Sequence, residues 1–293
     1  WIDLANCTVC RHDVPAACSG TLISEDLVLS AKHCLDIPEE LNGTLSRVVF
    51  SNSLFDKAAE SSPVAAFRKT SDYSFAAAGP SAGSSGSSSE IGGASGDLVL
   101  IKLAKPAPKN WRPQSLSFNF VESMEEGFAD LSSGASSGVP GNAKASAGKG
   151  APSGSLTDVI GFPELTIYGF GDTEDDYYSY SSGALKSLRV RVVSTIGPKA
   201  RGFYTSPPDE GTGACNGDSG AAGLLGSGQG RVVVGVLSST STPCTGSTSA
   251  FVNPDVFRAF VEKASADLGA PVKVRTKSEW RDFLFGKYVY PGI

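Results

Sequence analysis

Apolar residues in this chain come mostly in short runs broken by Gly, Ser and Pro. The runs are Thr21–Ser30 (TLISEDLVLS), Arg47–Phe50 (RVVF), Asp97–Leu103 (DLVLIKL), Leu165–Phe170 (LTIYGF), Leu185–Val193 (LKSLRVRVV) and Arg231–Leu237 (RVVVGVL). They are rich in Val, Ile and Leu, and each is short enough to be a strand. Many short strands with turn residues between them predict an all-β barrel or sandwich. One stretch carries the helical period instead. Asn253-Pro254-Asp255 reads as a start signal, with a capping Asn, Pro at the first helical position and an acid in the first turn. Val256, Phe257, Phe260, Val261, Ala264 and Leu268 follow at helical spacing, and Gly269 can end the helix.

Two stretches, 76–96 and 132–156, are mostly Gly, Ser and Ala. They lack the apolar surface needed to offset ordering entropy, so mobile surface loops are expected there. The tail 270–293 holds Trp280, Phe283, Phe285, Tyr288 and Tyr290, which predicts packing back onto its own domain, with partner binding as the alternative.

Composition narrows the class. The chain has 293 residues, 40% of them apolar, and a net charge of −5. That balance gives no reason to expect a nucleic-acid or anionic-membrane partner. No apolar run approaches the roughly 18 residues of a spanning helix. No signal peptide is visible at Trp1, so a processed or trimmed chain is expected. The six cysteines are Cys7, Cys10, Cys18, Cys34, Cys215 and Cys244. An even number fits three disulfides and an oxidising compartment, secreted, extracellular or periplasmic. Zinc is the alternative, but Cys7 and Cys10 form a single CxxC and the chain has only two histidines. No metal or cofactor is expected. Asn6-Cys7-Thr8 and Asn42-Gly43-Thr44 are glycosylation sequons.

Three segments carry chemistry. Of His12 and His33, the second lies directly after an apolar run, in Ser30-Ala31-Lys32-His33-Cys34. A disulfide from Cys18 to Cys34 would pin that loop, and a catalytic base must be rigidly placed. Asp97 heads the next apolar run. A solvated strand-end acid is the plain reading; an Asp held there can also accept the His Nδ1 proton and fix the tautomer. Cys215-Asn216-Gly217-Asp218-Ser219-Gly220 sets a Ser among glycines. Gly217 permits a strained turn, which can aim the N–H groups of Gly217 and Ser219 at one point.

In residue, order and context these segments resemble the trypsin/chymotrypsin serine endopeptidases. CSGTLIS…LSAKHC is similar to Cys-Gly-Gly-Ser-Leu-Ile…Thr-Ala-Ala-His-Cys of that family, GDLVLIKL to its Asp-Ile-Ala-Leu-Leu-Lys-Leu, and ACNGDSG to its Cys-Gln-Gly-Asp-Ser-Gly. Tyr168-Gly169-Phe170-Gly171 is similar to its Gly-Trp-Gly. The likeness spans Cys18 to about Leu268, and the order His, Asp, Ser sets it apart from subtilisin-like and α/β-hydrolase triads. The intervals from His33 to Asp97 and from Asp97 to Ser219 exceed those of the chymotrypsin triad by about 19 and about 29 residues. The two Gly/Ser-rich stretches, 21 and 25 residues long, account for most of the excess.

The resemblance implies a single peptidase domain, all-β, of two six-stranded antiparallel Greek-key barrels with a C-terminal helix. The first barrel would span about 1–125, the second 157–252, the helix 253–269 and an extension 270–293. It implies His33, Asp97 and Ser219 as the catalytic triad, Gly217 and Ser219 as the oxyanion hole, and disulfides Cys18–Cys34 and Cys215–Cys244, leaving Cys7 and Cys10 for each other. Gly213, Ala214, Ser238, Thr240 and Ser249 fall at substrate-pocket positions. Gly213 at the pocket base offers no carboxylate for Arg or Lys, and side chains at Thr240 and Ser249 would shorten the slot. An elastase-like preference for small apolar residues is expected. Expected partners are protein or peptide substrates and protein inhibitors, and a monomer is expected.

The chain also departs from the family pattern. Asp218 matches an acid that in relatives pairs with an Ile or Val amino terminus freed by zymogen cleavage, and no such Ile/Val-Val-Gly-Gly start precedes Cys18. Gly220 is followed by Ala221-Ala222 where Gly-Pro is usual. The acidic run 172–176 reads as a solvated loop, with a calcium site as the alternative. A protease-shaped binding module, silent or zymogen-like, and a serine esterase are the other functional readings.

Overall fold

The computed structural model describes residues 2–5, 18–35, 44–53, 56, 58–73, 96–118, 120, 163–172, 184–196, 201–270, 272 and 274–275. Cys7, Cys10, His12, the asparagines of both sequons, nearly all of the two Gly/Ser-rich stretches, residues 173–176 and the aromatic residues of the tail lie outside them.

The first sheet holds β1 (Ile2–Ala5), β2 (Thr21–Ser24), β3 (Leu27–Ser30), β4 (Thr44–Phe50), β5 (Glu60–Lys69) and β6 (Val99–Leu103). Its strand order is β1-β4-β5-β6-β3-β2, antiparallel throughout. The second sheet holds β7 (Ser115–Ser117), β8 (Glu164–Gly169), β9 (Lys186–Ile196), β10 (Gly202–Ser206), β11 (Ala222–Leu225), β12 (Val232–Thr240), β13 (Ser249–Val252) and β14 (Val274–Arg275). Six of these run antiparallel in the order β11-β8-β9-β10-β13-β12, and a β11–β12 pairing closes them into a barrel. Outside that ring, β7 adds to β12 in parallel, and β14 adds to β7 in parallel. The described residues therefore form a two-barrel β structure with a short C-terminal helix, α1 (Arg258–Asp267). Among the described residues no helix is long and apolar enough to cross a membrane.

The runs that form β3, β6 and β12 are apolar almost throughout because both faces of their sheets are covered, whereas β8 and β9 alternate buried and exposed positions. In β3 and the segment entering β6, alternation decides which core each residue joins. Val28, Val99 and Ile101 point into the first barrel with Val48 and Phe50. Leu27, Leu29, Leu98 and Leu100 point the other way, onto Leu224, Val233, Val236 and Val252 of the second barrel and Phe260 of α1. A continuous apolar run is what a strand buried on both faces requires. The second barrel keeps its own interior, where Phe203 and Phe251 stack with centroids 5.3 Å apart.

The run 21–30 is two strands, not one. Glu25 and Asp26 make the turn, and the Ser24 hydroxyl bonds the Asp26 carboxylate at 3.2 Å. The helix starts later than its start signal. Asn253 Oδ1 accepts the Asp255 N–H at 3.0 Å, but Phe257 and Arg258 then bond three residues back, and the α-helix begins only at Arg258. Phe260, Val261 and Ala264 are fully buried, while Val256 stays exposed. Gly269 leaves the helix at φ +62°, where a Cβ would be strained.

Candidate active site

His33 sits in a short 3₁₀ turn, Lys32–Leu35, directly after β3. The Cys18–Cys34 disulfide ties that turn to the chain entering β2. Asp97 lies just before β6, and β3 pairs with β6 so that Ser30 stands opposite Val99. The pairing brings the two segments together. His33 Nδ1 lies 2.7 Å from Asp97 Oδ2, and the His33 backbone N–H donates to Asp97 Oδ1 at 2.8 Å. The Ser238 hydroxyl, from β12 of the other barrel, donates to Oδ2 at 2.6 Å.

Asp97 is 4% exposed. Burial pushes its carboxyl up, but the His33 hydrogen bond and charge, the Ser238 hydroxyl and the His33 amide outweigh that and hold it below the usual carboxylate value. An ionised Asp97 accepts only, so Nδ1 of His33 carries a proton, and in the neutral imidazole the lone pair lies on Nε2. The His33 side chain is 43% exposed, which leaves its far edge open to solvent.

Ser219 lies in the tight turn that follows Cys215, which is bridged to Cys244. The Asp218 N–H bonds Cys215 O at 3.1 Å and the Ala221 N–H bonds Asp218 O at 2.9 Å. Gly217 and Gly220 take φ of +97° and +85°, a region closed to ordinary side chains. A Cβ on Gly220 would also overlap the Ser30 hydroxyl and the Ser19 carbonyl. The turn therefore packs directly on the first barrel: Ser219 O accepts the Ser19 N–H at 2.8 Å and lies 3.8 Å from Cys34 Sγ. His33 and Asp97 are thus paired at the junction of the two barrels, and the turn that holds Ser219 packs beside Cys34, the neighbour of His33.

Asp218 points the other way. Its carboxylate accepts the Gly171 N–H at 2.8 Å and the Cys215 N–H at 3.0 Å. Burial pushes its pKa up, against those two amides and the charge of Lys186, and Asp172 adds to the rise. A Cβ on Gly169 or Gly171 would overlap this carboxylate. Beside it lies a cavity of about 230 Å³ whose lining includes Gly171, Lys186, Gly213, Ala214 and Asp218.

The expected pocket residues divide into two groups. Gly213 and Ala214 line the Asp218 cavity, and a Cβ on Gly213 would overlap the Cys244 carbonyl oxygen. Thr240 and Ser249 stand opposite each other on β12 and β13 with hydroxyls 3.4 Å apart. Ser238, two residues before Thr240, spends its hydroxyl on Asp97. Its one signal in the sequence is that it is the first polar residue after the apolar run RVVVGVL. Ser19 stands in no pattern of its own in the sequence, yet it touches the Ser219 turn. Cys18, Cys34 and His33 cluster closely, but the sulfurs are bonded to each other and Nδ1 to Asp97, so the set is not free to hold a metal.

Comparison with protein families matches residues 10–119 to the Trypsin family. A search of curated proteins found no match. The matched segment contains His33 and Asp97 and ends before Ser219.

Proposed function

We propose that this chain, placed with the trypsin/chymotrypsin-like family by residues 10–119 and by its two barrels, is a secreted serine endopeptidase. The observation that carries the reading is the His33–Asp97 pair, joined by Ser238 from the second barrel and set beside the turn that presents Ser219. In the proposed reaction Ser219 Oγ forms a bond to a peptide carbonyl carbon while its proton passes to His33 Nε2. The carbonyl oxygen becomes an oxyanion beside the Gly217 and Ser219 N–H groups. Collapse breaks the C–N bond, and His33 returns the proton to the leaving amine. Water then adds to the acyl-enzyme by the same route in reverse and frees Ser219.

For substrate preference the support is Gly213, Thr240 and Ser249. Gly213 has no room for a side chain, hence no carboxylate to pair with Arg or Lys. The paired hydroxyls of Thr240 and Ser249 occupy the facing strands where relatives carry wider slots. Elastase-like cleavage after small apolar residues follows, with protein substrates, susceptibility to protein inhibitors and a monomeric state as parts of the same proposal. The disulfides support an oxidising compartment.

A second reading, a silent or zymogen-like binding module, is favoured by one observation: two backbone amides hold the Asp218 carboxylate where relatives use an ammonium. A fluorophosphonate probe separates the two. Labelling at Ser219 that disappears in Ser219→Ala supports the endopeptidase, and failure of the intact protein to label favours the binding module. Peptide-library profiling then tests the pocket: cleavage after Ala, Val or Ser is expected, and a clear Arg or Lys preference would sink the specificity assignment. Faster turnover of esters with no protein cleavage would point to an esterase.

A further inference from the structure

The turn that presents Ser219 is built from four successive peptide groups, and three of their four carbonyls are held from outside the turn. Asn216 O accepts the Asp172 N–H at 2.9 Å, from the segment after β8. Gly217 O accepts the Ser19 hydroxyl at 2.9 Å. Ser219 O accepts the Ser19 backbone N–H at 2.8 Å. One residue of the first barrel therefore grips the turn twice, on both sides of Asp218. The same hydroxyl accepts the Phe170 N–H at 3.4 Å, and Ser19 O accepts the Ser30 hydroxyl at 2.8 Å. Ser19 is 2% exposed, and it follows the disulfide half-cystine Cys18.

The consequence is geometric. The peptide between Gly217 and Asp218 is fixed at both ends: its carbonyl by the Ser19 hydroxyl, its N–H by Cys215 O at 3.1 Å. The peptide between Ser219 and Gly220 is fixed likewise, by the Ser19 N–H and by Leu237 O at 2.8 Å. Between these two planes lies the peptide that carries the Ser219 N–H. The plane carrying the Gly217 N–H is joined to the first of them through a glycine at φ +97°, which has the freedom to rotate unless its carbonyl is held. Relatives with Cys-Gly-Gly at this place have no hydroxyl to make the contact; this chain has Cys18-Ser19-Gly20.

We infer that Ser19 is a positioning residue that holds the Gly217 and Ser219 amides in register with His33, from the opposite barrel. This inference rests on the endopeptidase reading for its kinetic consequence, and on the hydrogen bonds alone for its structural one. Donors aimed at a developing oxyanion lose their value when displaced by small distances.

The test compares Ser19→Ala with Ser62→Ala. Ser62 is also 2% exposed and its hydroxyl also donates to a backbone carbonyl, Lys105 O at 2.8 Å, so it costs a comparable buried bond away from the turn. Two readouts are taken. In hydrogen exchange, Ser19→Ala, which removes the hydroxyl and keeps the Ser19 N–H, is expected to speed the Asp218 amide at least about tenfold relative to strands β9 and β10, and Ser62→Ala is not. In kinetics, Ser19→Ala is expected to lower kcat about ten- to a hundredfold with KM within about twofold, and to weaken a peptide aldehyde in parallel, while Ser62→Ala leaves kcat unchanged. Unchanged exchange at Asp218 overturns the clamp. Faster exchange with unchanged kcat and aldehyde affinity confines Ser19 to structure and overturns its positioning role. A wild-type protein that does not react with fluorophosphonate sinks the hydrolase reading instead, and the exchange comparison still decides the clamp.

Discussion

At the scale of single residues, the site depends on which nitrogen of His33 carries a proton. Asp97 decides that, because it is ionised and receives Nδ1 at 2.7 Å. Asp97→Asn presents an amide that can donate to Nδ1, which moves the ring proton to Nε2 and removes the base. On the proposed mechanism kcat falls about 10⁴-fold near neutral pH, with KM little changed; steady-state kinetics on a small-residue substrate checks it, and a loss under tenfold would contradict the assignment. Histidine, aspartate and serine were legible in the sequence because each stands beside a feature that survives divergence: a half-cystine, the head of an apolar run, a glycine-flanked turn. Ser19 and Ser238 were not legible in their roles. A serine has no pattern of its own, and its hydroxyl acquires a partner only when distant segments meet, 198 residues apart for Ser19 and Gly217 and 141 for Ser238 and Asp97.

At the scale of elements, what could be read was the buried strand, and what was lost was the strand with mixed exposure. β3, β6 and β12 are apolar almost throughout because the barrels cover both faces, so composition alone announces them. β5 (ESSPVAAFRK) carries Pro63 and the charged residues Glu60, Arg68 and Lys69, the first of them exposed, yet lies between β4 and β6. Its proline is tolerated beside a register shift between Val64 and Ala66. The helix boundary slipped for a related reason: a capping Asn and a Pro mark any tight turn, and here they begin a 3₁₀-like turn before α1. The segment after β8 matters more to the site than its composition suggests. Gly169 and Gly171 leave just enough room for the Asp218 carboxylate, and Gly171 also supplies one of its two amides. Gly171→Ala is expected to displace Asp218, and with it the Gly217–Ser219 turn. Fluorophosphonate labelling should slow at least about a hundredfold, by analogy with loss of an oxyanion donor, while the far-ultraviolet circular dichroism of the barrels is unchanged. Labelling at the wild-type rate would show that the turn stands without that packing.

At the scale of the molecule, a buried and a half-buried carboxylate at the barrel junction act on stability with opposite sign. Asp97 belongs to the first barrel and is held below its ordinary value; Asp218 belongs to the second and is pushed above it. A lowered carboxyl stabilises the fold above its unfolded pKa, about 3.9, and that contribution fades as pH falls through the folded value. A raised carboxyl contributes most below about 3.9, and its contribution is lost as pH rises through the folded value. Urea unfolding of wild type, Asp97→Asn and Asp218→Asn between pH 3 and 7 separates the two. The deficit of Asp97→Asn relative to wild type should be fully present above about pH 4 and shrink below it. Asp218→Asn should move the other way, gaining on wild type as pH rises above about 4, because the wild-type carboxyl must then ionise inside the protein. If both variants keep a constant offset across the range, neither carboxyl is shifted as described. If Asp218→Asn alone follows its trend, Asp97 is not held below its ordinary value, and the charge proposed to orient His33 loses its support.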